Sequence, residues 1–419
     1  MKYIIHAITH RYHPTIQIRF VGELLTSLTG SMLAPFLLLY LHDKLGGSVL
    51  LPMIIVGLQP LTDIFITMVS GGIADRIGRR PVILFALLLQ IVAISGFIVA
   101  DTIWAFALLY MLNGAGRSLY IPAQRAQIAD LVTEQQRAEV FSVLSTIGYA
   151  GQIAGPILGL LLFHFHSAAV FGLEALSLTV YLLLFWWKGA ESLPSRSATS
   201  GAAPVSHPAF SLPRFLRENR AVLGLMVSTL PISFFYAQTE TNLRIHLQQT
   251  FTDYLAIIAS LATAHAILVI LLQIWLVKRT ETLTIKRILL IAGISYLTAA
   301  LLLGYSHSFA LLLVAQLAMT IGEVVGLTHL LNYVAALAPP EKRGLYFSLY
   351  GMHWDISRTV GPVLGGWILT QSGGQALFTL CALLLAVGAV AHQFVITWIT
   401  RSHKDSQETN TDLYLQNQG

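Results

Sequence analysis

Twelve stretches of about 20 mostly apolar residues divide this chain, and a run of that length is what an α-helix needs to cross the hydrocarbon core of a bilayer. They fall at roughly 17–41, 49–73, 82–100, 104–127, 139–163, 168–187, 221–246, 254–277, 288–305, 309–335, 344–370 and 376–400. Few folds admit so many. In lipid every backbone N–H and C=O must find its partner within the protein, which leaves helices or a closed barrel. The runs do not alternate with period two, and that excludes a barrel. Composition agrees: 55% of the 419 residues are apolar and only 11% are charged, against about 25% charged in a soluble domain. The expected fold is an all-α membrane protein of twelve transmembrane helices. A cleaved leader is not expected, because Arg11 and Arg19 precede the first span, Glu23 lies within it, and more spans follow.

The connections between runs are short except for residues 188–220, which are rich in Ser, Pro and Arg and read as a polar linker. The expected organisation is therefore a first six-helix half at 1–187, a linker at 188–220, a second half at 221–400 and a polar tail at 401–419. Basic residues sort to one side of the membrane. Arg76, Arg79, Arg80, Arg137, Lys188 to Arg220, Lys278, Arg279, Lys286, Arg287, Lys342 and Arg343 share it with both termini. Opposite lie Lys44 and Arg244, with His164, His166 and His307. The positive-inside rule then makes both termini and the linker cytoplasmic. This clustering also argues against nucleic acid as the target of the net charge of +5. The single cysteine, Cys381, excludes an intrachain disulfide. His164-x-His166 is the nearest approach to ligand spacing, too little to predict a metal site.

The chain also repeats itself. Arg137-Ala-Glu-Val-Phe-Ser recurs as Arg343-Gly-Leu-Tyr-Phe-Ser, an offset of 206 residues (343 − 137), and Gly155-Pro156-Ile-Leu-Gly159 recurs at that offset as Gly361-Pro362-Val-Leu-Gly365. Two parallel six-helix halves related by an axis along the membrane normal form a plan of secondary transporters, with substrate bound between the halves. In the loop after span 2, Gly71-Gly-Ile-Ala-Asp75-Arg76-Ile-Gly78-Arg79-Arg80 has glycines suited to a tight turn. It also holds an acid able to meet a helix N-terminus and three arginines able to anchor at an anionic leaflet. In span 5, Gly151, Gly155 and Gly159 at spacing four suit close helix approach, and Pro156 a kink.

These residues resemble the major facilitator superfamily. The 71–80 stretch looks like that family's signature between helices 2 and 3, and Gly151 to Gly159 is similar to the motif of its antiporters. Gly322-Glu323 with Ala338-Pro-Pro-Glu-Lys342-Arg343-Gly344 resembles the bacterial drug:proton antiporter group. The group often places an arginine four residues before the glycine matching Gly114; here that position is Tyr110. The resemblance covers essentially the whole chain. It implies a charge latch at Asp75, Arg76, Arg79 and Arg80, a gating role for Gly155 and Pro156, and a cavity lined by helices 1, 4, 7 and 10. Ordinary turn geometry and close packing would explain the same glycines without any transport role.

Ionisable groups at membrane depth cost several kcal/mol unless paired or facing a cavity. They are Glu23, Asp63, Arg117, Glu240, Arg244, Glu323, Asp355 and Arg358. Arg117 and Glu323 stand 206 residues apart (323 − 117), equivalent places with opposite charges. Glu323 is thus expected to carry protons and Arg117 to oppose it, or else the two form a permanent ion pair. Asp63 and Glu240 are further candidates for proton coupling. An ion pair between Asp63 and Arg358 is expected, with Asp355 as a local competitor for Arg358 at i, i+3. Cavity candidates are Tyr110, Asn113, Tyr120, Tyr236, Gln238, His265, His329, Asn332 and Trp354, whose rings and amides suit amphiphilic cations or mixed ligands.

No phosphate loop, nucleophile elbow or H-E-x-x-H motif occurs, so neither an enzyme nor an ATP-driven pump is expected. The expected function is proton-coupled export of small amphiphilic compounds or drugs by alternating access in a bacterial inner membrane. The protein is expected to act as a monomer among membrane lipids, with the proton gradient as energy source and no cofactor. The alternatives are a dedicated carrier of one metabolite (a sugar, amino acid derivative or metallophore) and a lipid flippase.

Overall fold

The computed structural model describes residues 12–70, 73–192, 212–339 and 343–416, and no strand occurs among them. The first helix, α1 (Pro14–Leu33), opens on a proline whose missing N–H costs nothing in a first turn, and His13 Nδ1 accepts from Thr15 N–H at 3.2 Å. Pro35 cannot donate and crowds the preceding turn. The chain bends there by 45° and resumes as α2 (Leu37–Lys44), so the two helices together fill the first expected span. Next come α3 (Leu50–Ser70), the short α4 (Ile73–Ile77), α5 (Arg79–Val99), α6 (Ile103–Leu131), α7 (Glu134–Phe165) and α8 (Ser167–Lys188).

After the linker follow α9 (Leu212–Glu218), α10 (Arg220–Glu240), α11 (Asn242–Thr250), α12 (Tyr254–Thr280) and α13 (Ile285–Tyr305). The seventh span is broken at Thr241, with φ −128° and ψ −81°. The tenth comprises α14 (Phe309–Gly322), a π-helical turn at Glu323–Leu327 and α15 (Thr328–Leu337). The last helical run, α16 (Arg343–Gln416), turns at Gly373, whose φ of 80° and ψ of 172° suit only glycine. It therefore holds the eleventh and twelfth spans, and every expected span is helical over its described residues. Large apolar side chains such as Val99, Trp104, Leu271, Ile274, Val387 and Phe394 stay exposed along the helices, a surface matched to lipid and too apolar for water.

By contact density the chain forms two compact units. The first is Met1–Ala202 with Gln238–Ile267 and Arg358–Gln371; the second is Ala203–Ala237, Leu268–Ser357 and Ser372–Gly419. In the first unit α1 lies against α7 along the glycines read from the sequence. A Cβ at Gly155 would come within 2.6 Å of Ser31 Cβ, and one at Gly159 within 2.5 Å of Met32 O. The same unit pairs the repeat-equivalent stretch of α16 with the seventh span. A Cβ on Gly365 would strike Gln238 Oε1 and lie 2.6 Å from Asn242 Nδ2. Both copies of the Gly-Pro motif thus act by letting a neighbouring helix approach its backbone. Stacked and edge-on rings of Tyr40, Phe97, Phe106 and Phe171 fill the core between α2, α5, α6 and α8. In the second unit Gly322 and Gly326 bring the tenth span onto Tyr296 and Ala292 of α13.

Candidate functional site

Glu323 opens the π-helical turn of the tenth span. A π turn inserts one residue into a helix and re-aims the side chains around it, and such turns recur at functional sites. Gly322 just before the turn and Gly326 within it allow the close approach to α13. His329 supports the turn from below: its Nδ1 lies 2.9 Å from Val325 O, so the ring proton on that nitrogen points at the carbonyl. Its Nε2 is 3.4 Å from Thr280 Oγ1. His329, expected in the cavity, therefore spends its ring on backbone and on α12.

The carboxylate of Glu323 accepts a hydrogen bond from Tyr236 Oη at 2.8 Å. Tyr236 stands edge-on to Tyr296, 5.9 Å between ring centroids, and to Trp354 at 5.3 Å. The Tyr236 and Tyr296 hydroxyls are 3.4 Å apart. One acid and three large rings from four spans thus meet within the second unit. A carboxylate beside aromatic faces and edges can hold a proton, or attract a cation whose apolar body lies on the rings. Glu323, Tyr236 and Trp354 were expected from the sequence; Tyr296, a lone tyrosine in an apolar run, carried no local signal.

The first unit holds the other expected residues. Arg358 forks onto Glu240, with Nη2 to Oε1 at 2.7 Å and Nε to Oε2 at 3.0 Å. Asp63 instead accepts from Ser118 Oγ at 2.6 Å. The expected Asp63–Arg358 pair is thus replaced by two others, because the guanidinium finds a carboxylate presenting both oxygens at the right spacing. Asp355, half-buried, is on the second unit. Gln238 donates to Gly361 O at 3.0 Å, and Asn242 donates to Pro362 O at 3.1 Å and to Gln238 Oε1 at 2.7 Å. These amides tie the broken seventh span to α16, so Gln238 is a buried tie and Asn242 its unforeseen partner. Arg244 donates to Ala34 O at 2.7 Å and satisfies a carbonyl at the bend between α1 and α2. Tyr110 is buried edge-on against Phe97. Asn113 is half-buried on α6, and Arg117, one turn on, is exposed.

At the linker end of the first unit the arginine-rich loop is organised by a residue with no motif to announce it. Gly78, with φ 116°, precedes α5, and the Glu191 carboxylate accepts from the N–H of Arg79 at 2.9 Å and of Arg80 at 3.0 Å. That carboxylate satisfies two orphan donors and complements the helix dipole. Arg79 Nε donates to Asp130 Oδ2 at 3.3 Å, and Arg80 Nη2 to Trp186 O at 2.6 Å. Arg76 is exposed; the side chain of Asp75 lies outside the described residues. Arg19 corrects another expectation. It does not stand before the first span but is fully buried inside α1. Its guanidinium donates to Tyr120, Tyr181 and Gln127, and its Cζ lies 4.4 Å from the Phe185 ring centroid. Rings and amides replace the water such a group would otherwise need.

The sequence model of the Major Facilitator Superfamily matches residues 19–279 and 243–412. The chain is 43% identical over 97% of its length, and 98% of the relative's, to the uncharacterized MFS-type transporter YhjO of Bacillus subtilis. It is 23% identical to a Na(+), Li(+), K(+)/H(+) antiporter of Planococcus maritimus, over 84% of this chain and 89% of that one. With the multidrug resistance protein MdtH of Cronobacter sakazakii it shares 24% identity, over 86% and 87% of the two chains.

Proposed function

The chain belongs to the Major Facilitator Superfamily of membrane transporters, and from that premise we propose that it exports small amphiphilic compounds in exchange for protons. The observation that carries the reading is Glu323 at the head of a π turn, hydrogen-bonded to Tyr236, whose ring in turn meets those of Tyr296 and Trp354. A carboxylate is stabilised by a hydroxyl donor and disfavoured in a dry apolar surround. Alternation between the two environments would load and release a proton once per cycle, and only a ligand that binds the two states differently can drive it. The rings give an amphiphilic cation a surface without demanding one shape. The names of two relatives, a multidrug resistance protein and a cation/proton antiporter, favour the same reading.

Under this proposal Glu323 is the principal proton carrier, with Asp63 and Glu240 as auxiliary acids. Trp354 belongs to the substrate-binding rings beside Tyr236, Arg117 and Asn113 are further substrate contacts on the first unit, and the Arg79–Arg80 loop gates the linker side. The chain works as a monomer in a bacterial inner membrane, both termini cytoplasmic, powered by the proton gradient alone. The test is proton-gradient-driven movement of a fluorescent cationic amphiphile in proteoliposomes, wild type against Glu323→Gln. Transport that follows the gradient in wild type and vanishes in the variant is the expected result. Full gradient-driven transport by Glu323→Gln would remove the coupling role. No transport of the amphiphile by folded wild type would turn the reading toward a dedicated metabolite carrier.

A further inference from the structure

A trough runs down the outside of the second unit between α10 and the last span of α16. It has a volume of about 390 Å³ and is lined by Leu216, Arg220, Gly224, Val227, Ala391 and Val395, among others. Its floor is low because Gly224 has no side chain: a Cβ there would sit 3.3 Å from Val395 Cγ1. Ser228, the other polar residue in the lining besides Arg220, already donates to Leu225 O at 3.0 Å, so beyond Arg220 the trough wall offers no open polar group along α10. From Arg220 to Val227 the helix rises about 10 Å, roughly a third of a bilayer's hydrocarbon thickness.

Arg220 stands at one end, at the first residue of α10. Its guanidinium lies over the Trp398 ring, 4.8 Å from the centroid. Among the described residues it has no carboxylate partner. The stacking on Trp398 fixes the plane of the fork while leaving its N–H donors at the rim free for an anion, and planar bidentate capture of phosphate is what a guanidinium does best. A tryptophan beside a basic residue is also the ordinary marker of the headgroup level.

We propose that this trough binds an anionic phospholipid, with one acyl chain along Gly224, Val227, Ala391 and Val395 and the phosphate on Arg220. A charged rim above a dry apolar channel fits such a molecule along its whole length. A zwitterionic lipid would gain the channel but carry its own cation to the arginine, and a cationic amphiphile would be repelled there. The proposal is independent of what the protein transports.

The test is native mass spectrometry of the full chain in detergent, titrated with phosphatidylglycerol and, separately, phosphatidylcholine of the same acyl chains. Arg220→Gln should weaken phosphatidylglycerol binding about fivefold and leave phosphatidylcholine nearly unchanged. Gly224→Leu, which fills the trough, should weaken both. Should that variant fold poorly, Ala391→Leu obstructs the same channel from the other helix. Arg137→Gln, a basic residue on another helix, serves as control and should bind like wild type. Wild-type binding of phosphatidylglycerol by Arg220→Gln, or an equal preference for both lipids in wild type, would overturn the proposal. So would a gain in binding of a cationic amphiphile that displaces phosphatidylglycerol from wild type.

Discussion

Buried ionisable side chains in this protein are held by what surrounds them, and the surroundings differ case by case. Arg19 has rings and amides about it, so Arg19→Leu would take its N–H groups from Gln127 Oε1 and from the paired hydroxyls of Tyr120 and Tyr181. A loss of about 3 kcal/mol is expected from such a breach, read as a lower midpoint of thermal unfolding in detergent. Arg19→Lys should recover only part, since an ammonium cannot fork. Glu323 accepts a hydrogen bond from Tyr236 Oη. Under the proposed mechanism Tyr236→Phe removes that hydrogen bond and should slow gradient-driven transport about tenfold, as the initial rate in proteoliposomes would read. At Glu191 the effect belongs to a helix end. Glu191→Ala uncaps α5 and should cost about 1 kcal/mol, with faster hydrogen exchange at Arg79 and Arg80.

At the level of helices, the breaks do as much as the spans. The bend at Pro35 frees a carbonyl that Arg244 takes up, and the break at Thr241 places Gln238 and Asn242 against the Gly361–Pro362 backbone. Close approach is the condition for all of it. Gly365→Ala puts a methyl group into Gln238 Oε1, so this variant should lose folded yield and transport together, while Gly351→Ala, with nothing within 4 Å, should lose neither. The Glu240–Arg358 fork joins the seventh span to the eleventh within the same unit. Each single reversal, Glu240→Arg or Arg358→Glu, should abolish activity, and the double reversal should restore part of it, as a double-mutant cycle in transport rate would read.

Across the whole molecule the charge asymmetry predicts orientation. Cys381 is buried and otherwise alone, so single cysteines report cleanly. In intact cells a membrane-impermeant maleimide should label His307→Cys and spare Lys278→Cys, both exposed at helix ends, until the membrane is opened. The reverse pattern would invert the topology and move the Arg79–Arg80 loop to the outer face.

Twelve spans, their side-to-side charge bias and the doubled Gly-Pro motif were legible from the chain alone. Transfer of a residue into lipid depends on that residue and its near neighbours, and close helix approach depends on small side chains at fixed spacing. The fate of each polar group was not legible in the same way. Arg19 reads like a flanking charge and is enclosed; Arg358 was expected on Asp63 and lies on Glu240; Tyr296 had no pattern at all. Partners more than a hundred residues apart, as Glu240 and Arg358 are, are chosen by which side chains the helix breaks and glycine contacts bring within reach. Only the tertiary structure fixes that choice, because a hydrogen bond is lost within about an ångström while hydropathy tolerates a displacement of a whole turn.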